Sequence, residues 1–499
     1  MIETLTPGLI LGLILAYFSM LIGISYFTGK KSDSESFFLA GRNAPWLLVA
    51  IGMIGTSISG VTFISTPGVV GGEGLNKDFS YLQVVLGYLV GYFLIGTVLM
   101  PLYYRMHLTS IYTYLESRFG TFSYKTGSAY FLLSRTIGAA FRLYLASSVL
   151  HEFVIGPFGL PFWATVLITI GLIWTYTFKG GMNTIIYTDT LQTVFLLAAL
   201  VLTIVTVGNT MQLGFGEIFT TVKDSEYSQA FFFKGGWSDP NNFFKQFFSG
   251  ALITLTMSGL DQDIMQKNLS CRNLGEAQKN MFVFSIIMVI TNILFLTLGA
   301  MLYIYIGQTG VEVPSQTDLV YPTLALTHFA PIVGIFFILG ITAATYASSD
   351  SALAALTTAF CVDFLNFQKW DAPESAKRKR RTLVHLGFSL LLFVIIVIFK
   401  QLNNQAVLSA LFTAAGYTYG PLLGLFAFGI LTRRQVIDRW VLPICIAAPF
   451  LTFILDKNST EWFAGFTFGF LVLLLNGVIT FLGLLAISRP KHSQLAVNA

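Results

Sequence analysis

A carboxylate and three hydroxyls interrupt an otherwise apolar stretch: Ser348, Ser349, Asp350 and Ser351 sit in the middle of "ITAATYASSDSALAALTTAFCVDF", residues 341–364. An ionisable side chain at such a place is costly and faces a partner, a cavity or a translocated ion. Three chemistries fit Asp350. It could help bind a small hard cation, which takes oxygen donors. It could pair with Arg135 or Arg142, the two arginines that fall inside expected membrane spans. It could carry a proton. At 100° per residue Ala344, Ala347, Ser348 and Ser351 share one helix face, and Asp350 lies on an adjoining stripe with Ala343 and Ala347.

The elements that must position these groups are membrane helices. Of 499 residues, 55% are apolar and only 11% charged, with a mean hydropathy of +0.72. Soluble domains carry roughly 25% charged residues. Apolar runs long enough to cross a bilayer predict thirteen spans: 8–27, 45–70, 80–104, 122–150, 158–177, 183–207, 243–262, 281–306, 330–364, 382–400, 404–430, 440–456 and 462–487. With the N-terminus outside, 21 of the 29 Lys and Arg fall in cytoplasmic loops and six outside. That asymmetry predicts a plasma (inner) membrane protein with a cytoplasmic C-terminus and a short tail, 488–499. The run "KRKRR" at 377–381 reads as a topology anchor at anionic headgroups. The first apolar segment lacks a small-residue cleavage site and is expected to be a retained helix. Cys271, Cys361 and Cys445 suggest neither a disulfide framework nor a metal site.

Two spans look broken. Gly52, Gly55 and Gly60 interrupt the second, among Thr56, Ser57, Ser59 and Thr62, and Ser258 with Gly259 interrupts the seventh. Such breaks are tolerated where the freed backbone lines a cavity or is buried in protein. Their separation by five spans suggests an inverted repeat, about 45–207 and 243–430, with helix 8–27 before it and helices 440–456 and 462–487 after it. Glycine-rich helix packing is the competing explanation. The segment 208–242 has room for a short amphipathic helix.

The segments "FFLAGRNAPW", "RMHLTSIYTYLESRFG", "KGGMNTIIYTDTLQ", "GEAQK" and "ASSDSALAALTTAFCVD" together resemble the sodium/solute symporter family, in order and over residues 8–487. The resemblance implies an all-α, leucine-transporter-type 5+5 inverted repeat within one domain, 1–487. It also implies a shared sodium site at Gly55, Ile58, Ala344, Ala347 and Ser348. Ala347 departs from the pattern, because it cannot offer the hydroxyl usual there. A second sodium site used by some members maps to Asp189, Asp350 and Ser351, with Asp350 where relatives usually carry Ser or Thr. Asp189 has an alternative reading as a helix N-terminal charge held by the macrodipole.

The same resemblance places the solute between spans 2, 3, 4, 7 and 11, near Thr62, Tyr81 and Gln83. The positions polar in the sugar branch are here Thr254, Met257, Met288 and Phe412, which disfavours a polyhydroxylated hexose because unmet hydrogen bonds are costly. Arg135 suits a carboxylate and matches an arginine used for the substrate's carboxylate in sialic-acid symporters; pairing with Asp350 is its rival role. Tyr417 and Tyr419 could gate the cavity or simply pack.

The expected function is sodium-coupled import of a carboxylate-bearing solute, such as a monocarboxylate, amino acid or acidic sugar. A neutral sugar or polyol, or proton coupling, is the alternative. Sodium is the coupling ion, with no other cofactor and no nucleic-acid or obligate protein partner. His107, His151 and His328 lie near span ends and form no catalytic constellation, so an enzyme is not expected.

Overall fold

The structure is a computed structural model that describes residues 6–28, 34–402 and 407–490; the tail beyond Pro490 and the start of the eleventh expected span lie outside them. Nearly all of it is helical. A two-residue antiparallel pairing, Gln435–Val436 with Ser488–Arg489, is the small exception. The helices that frame the centre are α1 (Pro7–Thr28), α2 (Trp46–Ser57), α3 (Gly60–Val69), α4 (Tyr81–Leu94) and α5 (Thr121–Leu150). They are followed by α6 (Phe162–Thr177), α7 (Gly181–Thr210), α8 (Phe243–Thr254), α9 (Gln262–Leu269) and α10 (Leu274–Thr309). The remainder are α11 (Pro331–Ala359), α12 (Glu374–Leu402), α13 (Val407–Leu431), α14 (Val441–Lys457) and α15 (Val472–Ala486).

Among the described residues nine helices are long and apolar enough to cross a membrane, or eleven if each of two bent pairs is one span. The expected thirteen is not reproduced on that measure. The seventh span is split: α8 ends at Thr254, a π-type turn covers Leu255–Gly259, and helix resumes only at Gln262. The fourth and fifth spans form one bent pair, turned by 112°. The expected amphipathic helix is present at Phe215–Lys223, outside the bundle core.

α11 is the centre of the bundle. Every residue from Gly340 to Ala359 is buried, whereas α12 and α14 present many large apolar side chains outward, Leu386, Leu390, Ile446 and Phe450 among them. A helix covered on all sides gains nothing from an amphipathic pattern. Its Ala, Ser, Thr and Gly residues instead let neighbouring backbones approach. α11 packs most heavily against α6 and α7, and α8 against α4. Gly181, at φ 55° and ψ −151°, turns α6 into α7, and a Cβ there would lie 2.5 Å from the Phe37 ring. No other residue type fits that conformation and contact at once.

Candidate functional site

The first broken helix behaves as its glycines and hydroxyls imply. The last helical bond of α2 runs from Ile58 N–H to Ile54 O at 2.7 Å, and the first of α3 from Phe63 N–H to Ser59 O at 3.0 Å. Between them Ile58 (φ −85°, ψ 87°) and Ser59 (φ −82°, ψ 174°) are unwound, and the axis bends by 57°. The carbonyls of residues 55–58 therefore fall between two ladders, and among the described residues no side chain donates to them. Freed carbonyls of this kind are hard, oxygen-only donors.

Gly55 lets this break reach α11 and α7. Its N–H donates to Thr193 Oγ1 at 2.9 Å. A Cβ on it would come within 2.5 Å of that oxygen and 3.4 Å of Ala347 Cβ. Ile58, Ala344, Ala347 and Ser348 are all fully buried. Ser348 donates to Thr345 O at 3.0 Å, which leaves its hydroxyl oxygen able to accept or ligate. The expected first-site residues thus sit at one dry contact between α2 and α11.

The second expected group has a member that the sequence reading missed. Asp189 is buried in α7 and forms a salt bridge with Lys267 of α9. The Lys267 ammonium also donates to Thr56 Oγ1 and, at 2.7 Å, to Ser351 Oγ. Thr56 and Ser351 each donate to Asp189 Oδ2 at 3.1 Å. Lys267, assigned on sequence to a cytoplasmic loop, is only 1% exposed; that assignment is corrected, since the seventh span unwinds and then carries the chain back into the core. The usable signal was "DQDIMQKNL", whose charges follow directly on a broken apolar helix. Asp350 lies close by, its Oδ1 accepting from Ser351 N–H at 2.5 Å and its Oδ2 without a hydrogen-bond partner among the described residues.

The proposed Asp350–Arg135 pairing is overturned. Arg135 instead bridges Asp263 of α9. The second break lies two residues past the expected Ser258–Gly259, at Leu260 and Asp261, because Asp261 restarts the helix: its Oδ1 caps Asp263 N–H at 2.9 Å. Tyr419 donates to Asp261 Oδ2 at 2.6 Å, so this tyrosine braces the break. Tyr103 and Tyr112 donate to the freed Gly259 and Leu260 carbonyls at 3.0 and 2.8 Å. Tyr417 is turned away to Asp456, at 2.7 Å.

Between the two breaks lies a cavity of about 80 Å³. Thr62, Tyr81, Arg135, Thr254, Met257, Met288 and Phe412 line it, as expected from sequence. Gln83 does not, and that expectation is corrected. Its amide donates to Ser80 O and Asn241 O at 3.2 and 2.9 Å and accepts from Phe232 N–H at 3.1 Å, so it ties the start of α4 to the loop above. Ser57, Ser59 and Arg142 join the lining. Arg142 was considered only as a partner for Asp350. Seven residues from Arg135 it repeats the same helix face two turns on. It is 8% exposed, has no ion pair among the described residues, and its Nε lacks a hydrogen-bond partner.

Comparison with known proteins agrees with this arrangement. The model of the sodium:solute symporter family matches residues 37–436. A sodium/sialic acid symporter from Aliivibrio fischeri is 26% identical over 472 residues, 92% of this chain and 90% of the relative. A sodium-coupled monocarboxylate transporter from Xenopus laevis is 28% identical, over 83% of this chain and 66% of the relative. The substrate-bound, outward-open structure of a Na+-coupled sialic acid symporter superimposes with a TM-score of 0.80 at 19% identity, covering 97% and 99% of the two chains. That likeness establishes a shared fold. The chain belongs to the sodium:solute symporter family: it is a membrane-embedded, sodium-coupled solute carrier and not an enzyme.

Proposed function

We propose that the protein imports a small carboxylate-bearing solute together with sodium by alternating access, and that Arg142 anchors the carboxylate. The observation that carries this reading is the state of the two arginines on α5. Arg135 is already neutralised by Asp263, whereas Arg142 faces the same cavity with no ion pair among the described residues. A desolvated guanidinium without a partner is costly, and a planar carboxylate from the solute satisfies it in a bidentate fashion. The anchor therefore moves from Arg135 to Arg142. Hydroxyls of Ser57, Ser59, Thr62 and Tyr81 surround the rest of the solute. Relatives named for sialic acid and for monocarboxylates support the carboxylate class.

Sodium is taken at the first break, by the Gly55, Ile58, Ala344 and Ala347 carbonyls and Ser348 Oγ. Its binding holds α2 and α11 together and so shapes the cavity wall that Ser57, Ser59 and Thr62 provide. Coupling follows by linkage, since a solute that favours the same arrangement raises sodium affinity by the same factor. The repeats span about 45–207 and 243–430 of the single domain, which sits in a plasma (inner) membrane with its N-terminus outside and its C-terminus in the cytoplasm, the orientation that the loop charges favour.

Ligand-induced stabilisation of the purified protein tests this. Carboxylates, amino acids, neutral sugars and polyols are compared in sodium and in potassium. A carboxylate that raises the unfolding temperature only in sodium, and fails to do so in Arg142→Gln, is the expected result. A neutral solute that stabilises wild type and Arg142→Gln equally would overturn it.

A further inference from the structure

We propose that the ammonium of Lys267 is a tethered cation that holds the seat between Asp189, Thr56 and Ser351, so that this chain binds one exchangeable sodium ion and not two. The inference rests on the sodium-coupled reading above and concerns the second group of oxygens named from sequence, Asp189, Asp350 and Ser351.

The geometry leaves little room for another ion there. A lysine ammonium has three donors, and all three are used: on Asp189 Oδ2, Thr56 Oγ1 and Ser351 Oγ. Asp189 Oδ2 and Ser351 Oγ are the oxygens a sodium ion would need. Lys267, Asp189, Thr56 and Ser351 are all 0–1% exposed, so no water screens the ammonium from an incoming ion. The ammonium is also bound to the chain. It competes without the translational entropy that a free ion loses on binding, and α9 packs directly against α2 and α11.

Charge balance points the same way. Asp189 and Asp350 bring two negative charges to the cluster and Lys267 one positive. Arg135, one of the two arginines considered for Asp350, is spent on Asp263. One net negative charge remains, on Asp350, whose Oδ2 has no hydrogen-bond partner among the described residues. A buried cluster with one uncompensated charge is matched by one monovalent cation at the adjoining α2–α11 contact. Asp350 thus restores, next to the first seat, the charge that Lys267 cancels at the second. The anomalous carboxylate and the buried lysine are two halves of one substitution.

Sodium alone is the probe. The unfolding free energy of the purified full-length protein is measured against sodium chloride concentration, with choline chloride holding ionic strength constant. Each ion bound only by the native state adds RT ln(1 + [Na]/Kd), so the limiting slope against the logarithm of sodium concentration counts ions. Wild type is expected to give a slope of about one ion, and Lys267→Ala, which vacates the seat beside Asp189, about two. A second variant, Lys267→Ser, likewise removes the ammonium while keeping both carboxylates, and is also expected to give about two. It serves where the alanine variant does not fold. A wild-type slope of two, or a slope that stays at one in a folded Lys267 variant, overturns the tethered-cation inference while leaving sodium coupling intact. No sodium-specific stabilisation of wild type removes both.

Discussion

The two broken helices occupy matching places in the two halves of the fold and have been put to opposite uses. At the α2–α3 break the chain is charge-free. Glycines bring the backbone within contact of α11, and among the described residues no side chain donates to the carbonyls of residues 55–58. At the α8–α9 break the freed carbonyls are already taken by Tyr103 and Tyr112, and the helix that follows carries Asp261, Asp263 and Lys267. Those charges reach out to Tyr419, Arg135 and Asp189 on three other helices. One break leaves its backbone oxygens without side-chain donors among the described residues; the other is pinned by side chains. The difference teaches that interruption of a membrane helix is only an opportunity. What sits on the freed groups decides whether the break binds cargo or locks the bundle.

If the second break is a lock, cutting it should cost stability more than transport chemistry. Arg135→Gln leaves Asp263 buried without its counter-charge and is expected to lower unfolding free energy by about 3–5 kcal/mol. Denaturant unfolding in detergent checks this, and the added Asp263→Asn change should recover much of the loss. A loss below about 1 kcal/mol would mean that the pair is not a structural latch.

Arg142 provides the contrast on the same helix. Because its desolvated guanidinium has no ion pair to lose, Arg142→Gln should raise rather than lower the unfolding free energy in the absence of solute. Affinity for the carboxylate solute should fall about 100-fold, or about 2.7 kcal/mol. Arg142→Lys should recover only part of it, since a point charge lacks the planar fork. Equal losses of stability at Arg135 and Arg142 would erase the distinction between them.

Smaller effects are expected at the first break. Ser348→Ala removes the one side-chain oxygen of the proposed set and should raise the sodium half-saturation of uptake about tenfold, or about 1.4 kcal/mol. Ala347→Ser adds back the hydroxyl missing from this chain and should tighten sodium by a few-fold, roughly 0.5–1 kcal/mol. A sodium titration of uptake that ignores both changes would move the ion away from the α2–α11 contact.

Much of this was legible in one dimension. Apolar length and sparse charge give a helical membrane protein, and the clustering of glycine with serine and threonine at residues 52–62 brackets the first break, at Ile58 and Ser59. Seven of the eight cavity positions weighed from sequence do line the cavity. Such features are local: a helix must be apolar to meet lipid, and it must be small or polar where its backbone comes undone.

Partnership was not legible. Arg135, Arg142, Asp189, Asp261, Asp263, Lys267 and Asp350 can be paired in many ways on paper, and the charge of Lys267 reads as an ordinary loop residue just past an apolar run. Only the packing of α9 between α2, α5, α7 and α11 decides that Lys267 meets Asp189, that Asp263 meets Arg135, and that Arg142 is left facing the cavity. The physical reason is that the cost of a buried charge depends on what stands within a few ångströms of it, in a medium that screens weakly. Where helices run, and roughly where they break, followed from the residues in order; which charges cancel, and so which one faces the cavity without an ion pair among the described residues, belonged to the tertiary structure.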